Sequence, residues 1–196
     1  MPIGPNAIDA VVLGALSLTG LSLLLLHAFR RHDPARGAFG GFCLALLGLR
    51  LLSRSHLDPD LILRLDPIAS AATVPLLMLY VQSLFPRKWF QGMTAFTWAY
   101  VIPYAVILAV YPNEQLHPII PVMEKFSWLS LMATLLVAVQ VRQEQEPGST
   151  LLLIGLGFLT FGFWPHELAP LSLLPFIVSQ LWLLVRWRNK AGPTRP

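Results

Sequence analysis

Cysteine and charge are both scarce in this sequence. Its single cysteine, Cys43, excludes a disulfide within the chain and a zinc site built from cysteines. Charged residues make up only 12% of the 196 residues, whereas hydrophobic residues make up 55% and the mean hydropathy is +0.62. A soluble domain cannot bury that much apolar surface, so the sequence predicts a membrane protein whose solvent is lipid.

Recognisable catalytic motifs are also absent, and no cleavable leader is expected. The sequence has no nucleophile elbow, phosphate loop, His-Glu-x-x-His motif or lysine of the retinal-binding type. We therefore expect no enzyme, and no cofactor is assigned. Residues 1–9 carry no cation, so the first apolar run is expected to remain in the membrane as a span.

Apolar runs of helical length recur along the chain and predict seven transmembrane helices. They cover residues 10–29, 38–53, 68–85, 93–111, 118–141, 150–163 and 168–185. The second and sixth runs are short for a crossing of a hydrocarbon core about 30 Å thick. The predicted fold class is thus an all-α membrane bundle, with one domain at residues 1–190 and a tail at 191–196.

Prolines give local predictions within these runs. Asp66-Pro67 has the pattern of an N-cap followed by a first-turn proline, so the third helix is expected to begin there. Pro75, Pro103 and Pro175 lie inside apolar runs and predict bends, because each removes a backbone hydrogen bond.

The cations predict how the helices are oriented. Ten of the fourteen lysines and arginines fall on the side reached after the first, third, fifth and seventh helices. Positive charge marks the cytoplasmic side, so the N-terminus is expected outside and the C-terminus in the cytoplasm. The same pattern explains the net charge of +4 and the pI near 9.6 by membrane anchoring rather than nucleic-acid binding.

One stretch of the third helix has a familiar pattern. Residues 74–84 read Val-Pro-Leu-Leu-Met-Leu-Tyr-Val-Gln-Ser-Leu, and residues 100–104 read Tyr-Val-Ile-Pro-Tyr. They resemble the seven-helix membrane input domains of bacterial signalling proteins, which precede AraC-type, histidine kinase or cyclase output modules. Val74 stands where that family usually has glycine, and Met78 where it often has an aromatic residue. The resemblance implies signal reception in the bacterial inner membrane and does not imply a ligand.

Polar side chains within the apolar runs are the candidate site residues, because each is costly in lipid unless it is paired or hydrated. Arg50 and Glu124 fall at similar depths below the predicted outer boundary, where they are expected to pair beside an outward-open pocket. The alternative is that Arg50 extends to the water and Glu124 lies at a wet helix end beside Lys125. Gln180, in the middle of the last helix, is the third pocket candidate, and an interhelical hydrogen bond is its simpler explanation.

Three histidines fall on the predicted outer side: His56, His117 and His166. They are weak candidates for a metal site, since no ligand spacing links them and solvated loop histidines are the favoured explanation. No metal is therefore assigned.

Three functions remain open. The first is a sensory or signal-transducing domain without a catalytic module. The second is a non-catalytic accessory subunit of a larger membrane complex, and the third is a small-solute transporter. Against the transporter, the first and last thirds of the chain show no repeat. The expected partners are the lipid bilayer and another membrane protein.

Overall fold

The structure is a computed structural model that describes residues 5–29, 33–54, 58–112, 116, 118–163 and 169–190. Seven helices and no strand occur within these ranges. The helices are α1 (Pro5–Phe29), α2 (Pro34–Leu52), α3 (Pro59–Leu84), α4 (Lys88–Val110), α5 (Ile120–Gln143), α6 (Ser149–Phe163) and α7 (Ala169–Lys190).

Helix lengths and compositions confirm the predicted all-α membrane fold. The first five helices are long and apolar enough to cross a membrane, whereas the apolar parts of α6 and α7 are shorter. The second predicted span, residues 38–53, corresponds to α2, which is longer at 19 residues because it begins at Pro34. The sixth remains short, at 15 residues.

The prediction that the third helix begins at Asp66-Pro67 is wrong. The helix begins at Pro59, and its N-cap is Asp58, whose carboxylate accepts a hydrogen bond from the Asp60 backbone N–H at 3.0 Å. Asp58-Pro59 offers the same cap and first-turn proline eight residues earlier in the chain, so α3 includes the polar residues before Asp66. Pro67 is consequently an interior residue of α3.

The other interior prolines do not interrupt their helices. Pro75 lies within α3, Pro103 within α4 and Pro175 within α7, and the helical hydrogen bonding continues on both sides of each. The bends predicted at these positions remain predictions.

The helices form two compact units, which we describe separately. The first unit comprises residues 17–134. In it, α2 packs against α3, and α3 against α4. The rings of Phe39 on α2 and Tyr80 on α3 lie 4.8 Å apart. Small residues bring α1 close to α2: a β-carbon on Gly40 would lie 3.1 Å from the Gly20 carbonyl oxygen.

The second unit comprises residues 1–16 and 135–196. Its main contact is between α6 and α7, which are both apolar along most of their length. Gly148, just before α6, has a φ of +86° that side-chain-bearing residues rarely adopt. The domain boundaries predicted at residues 1–190 and 191–196 remain predictions.

Candidate functional site

A buried group of hydroxyls joins α4 and α5 in the unit of residues 17–134. Ser130 Oγ lies 3.1 Å from Thr97 Oγ1 and 3.1 Å from Tyr100 Oη. Thr97 is 0% exposed and Ser130 2% exposed, near the middles of their helices. We call Thr97, Tyr100 and Ser130 the hydroxyl cluster. It links the two helices by side-chain hydrogen bonds.

Helical spacing explains why two of these hydroxyls meet the third. Thr97 and Tyr100 are three residues apart, so they lie on the same face of α4. Thr97 is 2.8 Å from the Met93 carbonyl, which leaves its oxygen to accept from Ser130. A consistent chain of donors then runs from Tyr100 O–H to Ser130, from Ser130 O–H to Thr97, and from Thr97 O–H to the carbonyl. Every hydroxyl is satisfied without a charge.

The hydroxyl cluster also contacts α3. Thr97 Oγ1 lies 3.3 Å from the sulfur of Met78, a fully buried residue of α3. A threonine hydroxyl has one proton, so the sulfur is an alternative and weaker acceptor to the backbone carbonyl. Met78 stands where the family that the sequence resembles often has an aromatic residue. Its sulfur thus supplies a polarizable contact between α3 and the hydroxyl cluster.

Aromatic rings fix the third hydroxyl. The ring of Tyr100 lies 5.9 Å from that of Phe96 in an edge-on arrangement and 5.3 Å from that of Phe126 on α5. Such ring pairs add about 0.5–1.5 kcal/mol beyond their burial in soluble proteins. The tyrosine is therefore held by its ring as well as by its hydroxyl.

A second polar contact lies at the C-terminal end of α4. Arg64 Nη1 donates to the carbonyl oxygens of Leu108 at 2.9 Å and Ala109 at 3.2 Å. The last carbonyls of a helix lack partners within it, and the negative end of the helix dipole favours a cation there. We call this contact the Arg64 clamp. It joins the polar first turns of α3 to the end of α4.

An apolar cluster lies near both polar contacts. Its buried members are Ala71, Val101, Tyr104, Leu108 and Leu116. Tyr100 packs against this cluster from its edge. Leu108, whose carbonyl accepts from Arg64, and Tyr100, whose hydroxyl bonds Ser130, therefore belong to one packing region.

The predicted pair of Arg50 and Glu124 stays a prediction. Arg50 is half-buried in the last turn of α2, where its backbone carbonyl accepts from Ser53 Oγ at 3.0 Å. Glu124 lies in the first part of α5, and its side chain is outside the described residues. A cation in the last turn of a helix is also favoured by the helix dipole alone.

Gln180, the third pocket candidate, is completely buried in α7. Its amide Nε2 donates to the backbone carbonyl of Leu151 on α6 at 3.3 Å and lies 3.2 Å from Ser179 Oγ. Gln180 thus makes the interhelical hydrogen bond that the sequence predicts as the simpler reason for a polar residue at this depth. A ligand role for Gln180 remains a prediction.

The histidine candidates fall outside the described residues. His56, His117 and His166 are all among the positions that the structure does not describe. Within the described ranges, no three metal-ligating side chains lie close enough to hold an ion. The weak metal-site prediction is therefore untested.

Sequence reasoning did not identify the hydroxyl cluster or the Arg64 clamp. Thr97, Tyr100 and Ser130 were visible as polar residues in apolar helices, but nothing in the sequence says which faces of α4 and α5 meet. Arg64 precedes the third helix as predicted at residues 68–85, whereas in the structure it lies in α3.

The comparison with known families agrees with these observations. Residues 5–189 match a family model described as 7TM diverse intracellular signalling. Neither a curated protein nor a solved structure shows significant similarity to the chain.

Proposed function

Because the chain belongs to the 7TM diverse intracellular signalling family, we propose that it is a sensory domain that passes a signal through its helices without catalysing a reaction. The family match covers all seven helices, so it applies to the membrane part as a whole. The resemblance at residues 74–84 and 100–104 is thereby confirmed at the level of the family.

One observation carries the proposal: α4 is held near its middle by hydroxyl contacts that are each worth little. Hydrogen bonds between membrane helices contribute about 0.6 kcal/mol on average, and about 1.7 kcal/mol at most in measured cases. The hydroxyl cluster is made of contacts of this kind, whereas the Arg64 clamp is charge-assisted and partly exposed to solvent. A signalling domain needs an element with two accessible arrangements, and weak polar contacts allow one without large barriers.

The proposed orientation places the N-terminus outside and the C-terminus in the cytoplasm of a bacterial inner membrane. Cations at four helix ends support this orientation, because successive crossings of the membrane bring these four ends to the same side. They are Arg36 at the start of α2, Lys88 at the start of α4, Arg142 at the end of α5 and Arg186 towards the end of α7. The start of α3, which carries Asp58 and Asp60, then lies outside.

A signal could enter through the predicted outward-open pocket near Arg50 and Glu124. Arg50 lies two residues from the end of α2, on the proposed outer side. A cation with an acidic neighbour at that depth would suit a small polar ligand better than an apolar one. The pocket is part of the proposal, and its occupant is left open.

Purification of the tagged protein from its native membranes tests the proposal. We expect the purified material to contain a signalling output module, such as a kinase, a cyclase or a DNA-binding domain. Recovery in fixed ratio with a large transport or respiratory complex would overturn the sensory proposal in favour of an accessory subunit. Solute flux in liposomes that hold only this chain would favour a transporter.

A further inference from the structure

Two polar contacts hold α4 at separate places along its length. Near its middle, Thr97 and Tyr100 bond Ser130 of α5. At its end, the carbonyls of Leu108 and Ala109 accept from Arg64 of α3. All these residues lie within the unit of residues 17–134, so their arrangement can be considered as one structure.

Pro103 lies between the two contacts. It has no N–H, so the carbonyl of Ala99 lacks its usual partner four residues later, and the helix is weakest at this turn. Membrane helices tolerate such a proline where neighbouring groups compensate. The half of α4 after Pro103 can therefore change direction relative to the half before it more easily than elsewhere in the helix.

Tyr100 is the physical link between the two contacts. Its hydroxyl bonds Ser130, and the residue also packs against the edge of the apolar cluster that contains Leu108. A shift of the helix end that moves Leu108 disturbs the cluster against which Tyr100 packs, because packed side chains move together.

We propose that α4 is a coupling element, in which the Arg64 clamp and the hydroxyl cluster stabilise each other across Pro103. When the clamp opens, the end of α4 is free to move, Tyr100 loses part of its packing, and the bonds to Ser130 weaken. When the hydroxyl cluster opens, the clamp loosens in the same way, since coupling between two sites is reciprocal.

The inference deepens the proposed function. It rests on that function only for the direction in which a signal would pass along α4. In the proposed orientation the clamp lies on the outer side and the first half of α4 leads to the cytoplasmic side. A stimulus that acts on the first turns of α3 would then reach the cytoplasmic end through α4. The coupling itself is a property of the resting protein and can be measured without any stimulus.

Hydrogen exchange of the protein in lipid nanodiscs tests the coupling. The variants are Arg64→Met, which removes the clamp, and Tyr100→Phe, which removes one hydroxyl but keeps the ring. We expect Arg64→Met to raise the exchange rates of amides in residues 93–100 by about fivefold or more, the lower end of typical couplings between sites. Tyr100→Phe should raise the rates in residues 104–110 by a similar factor.

Matched controls separate coupling from general loosening. Lys125→Met removes an exposed cation of α5, and Tyr111→Phe removes the hydroxyl of an exposed tyrosine just after α4. Neither should change exchange at the distant contact. Arg64→Lys keeps the charge but not the planar fork, so it should give a smaller effect than Arg64→Met and remains usable if that variant folds poorly.

Two outcomes would overturn the inference. One is an increase confined to the residues next to each substitution. The other is an equal increase in the control variants. Either result would leave the sensory proposal in place, because that proposal is tested by the presence of an output module, and absence of such a module would leave the coupling in place.

Discussion

The side-chain amide of Gln180 on α7 fills the space in which a β-carbon on Gly155 of α6 would stand. The same amide donates to the backbone carbonyl of Leu151, one turn before the glycine. Gly155 is therefore a contact surface for a buried polar side chain. This close approach, together with the bond, determines how α6 and α7 fit together.

Gly155→Ala should destabilise the chain, whereas Gly157→Ala should not. The alanine at 155 must displace the Gln180 amide, and overpacking of this kind costs about 1–3 kcal/mol. A β-carbon on Gly157 meets nothing within 4 Å, so its substitution should be neutral or favourable by helix propensity. Denaturation of both variants in detergent micelles measures the difference. Equal stabilities would show that Gln180 moves aside freely.

Gly37→Ala should destabilise the connection between α1 and α2. A β-carbon there would come within 3.0 Å of the His27 ring, whose Nδ1–H donates to the Asp33 carbonyl at 3.1 Å. We expect the variant to be about 1 kcal/mol less stable than Gly48→Ala. Gly48 lies on the same helix, and a β-carbon there would have no atom within 4 Å. The difference should disappear in a His27→Ala background, because the obstructing ring is then gone. If it persists, the ring is not its cause.

The predicted pair of Arg50 and Glu124 should show non-additive energetics. Loss of either partner leaves the other charge unpaired at membrane depth, at a cost of about 1–3 kcal/mol on insertion scales. Arg50→Leu combined with Glu124→Leu should then be milder than the sum of the single variants, as measured by unfolding in detergent. The pairing of Arg50→Leu with Lys125→Leu is the control and should be additive. Additivity in both cycles would remove the pocket from the proposal.

The orientation can be tested by thiol labelling of intact cells. Cys43 is buried, so it should give little background. Cysteines introduced as Asp60→Cys and Lys88→Cys occupy exposed positions at the starts of α3 and α4. A membrane-impermeant maleimide should label Asp60→Cys at once and Lys88→Cys only after permeabilisation. The opposite pattern would place the N-terminus in the cytoplasm.

The start of α3 shows what local sequence can and cannot predict. Asp58-Pro59 and Asp66-Pro67 carry the same helix-start signal, and hydropathy alone favours the later pair because Asp60 and Arg64 are polar. The helix can include the polar residue Arg64 because the guanidinium donates hydrogen bonds to two backbone carbonyls of α4. That partner lies 44 residues away in the chain, and no local pattern indicates it.

The polar contacts between helices were harder to predict than the helices themselves. The seven apolar runs follow from hydrophobicity and length, and six of the seven helices end within about one turn of their predicted C-terminal residues. Which faces meet depends on the rotation of each helix about its axis, which an apolar sequence barely fixes. Gln180 was identifiable as a buried polar residue, but its partner is a main-chain carbonyl and has no sequence signature.

The shortness of α6 has a consequence for the lipid. Its 15 residues span about 22 Å, which is less than a hydrocarbon core of about 30 Å. So short a helix is accommodated by local thinning of the bilayer, by flanking side chains that extend to the water or by oligomerisation, each at a cost of fractions of a kcal/mol per Å of mismatch. The acyl-chain length of the surrounding phospholipids should therefore shift the balance between conformations of this protein, and shorter chains should favour those in which α6 crosses completely.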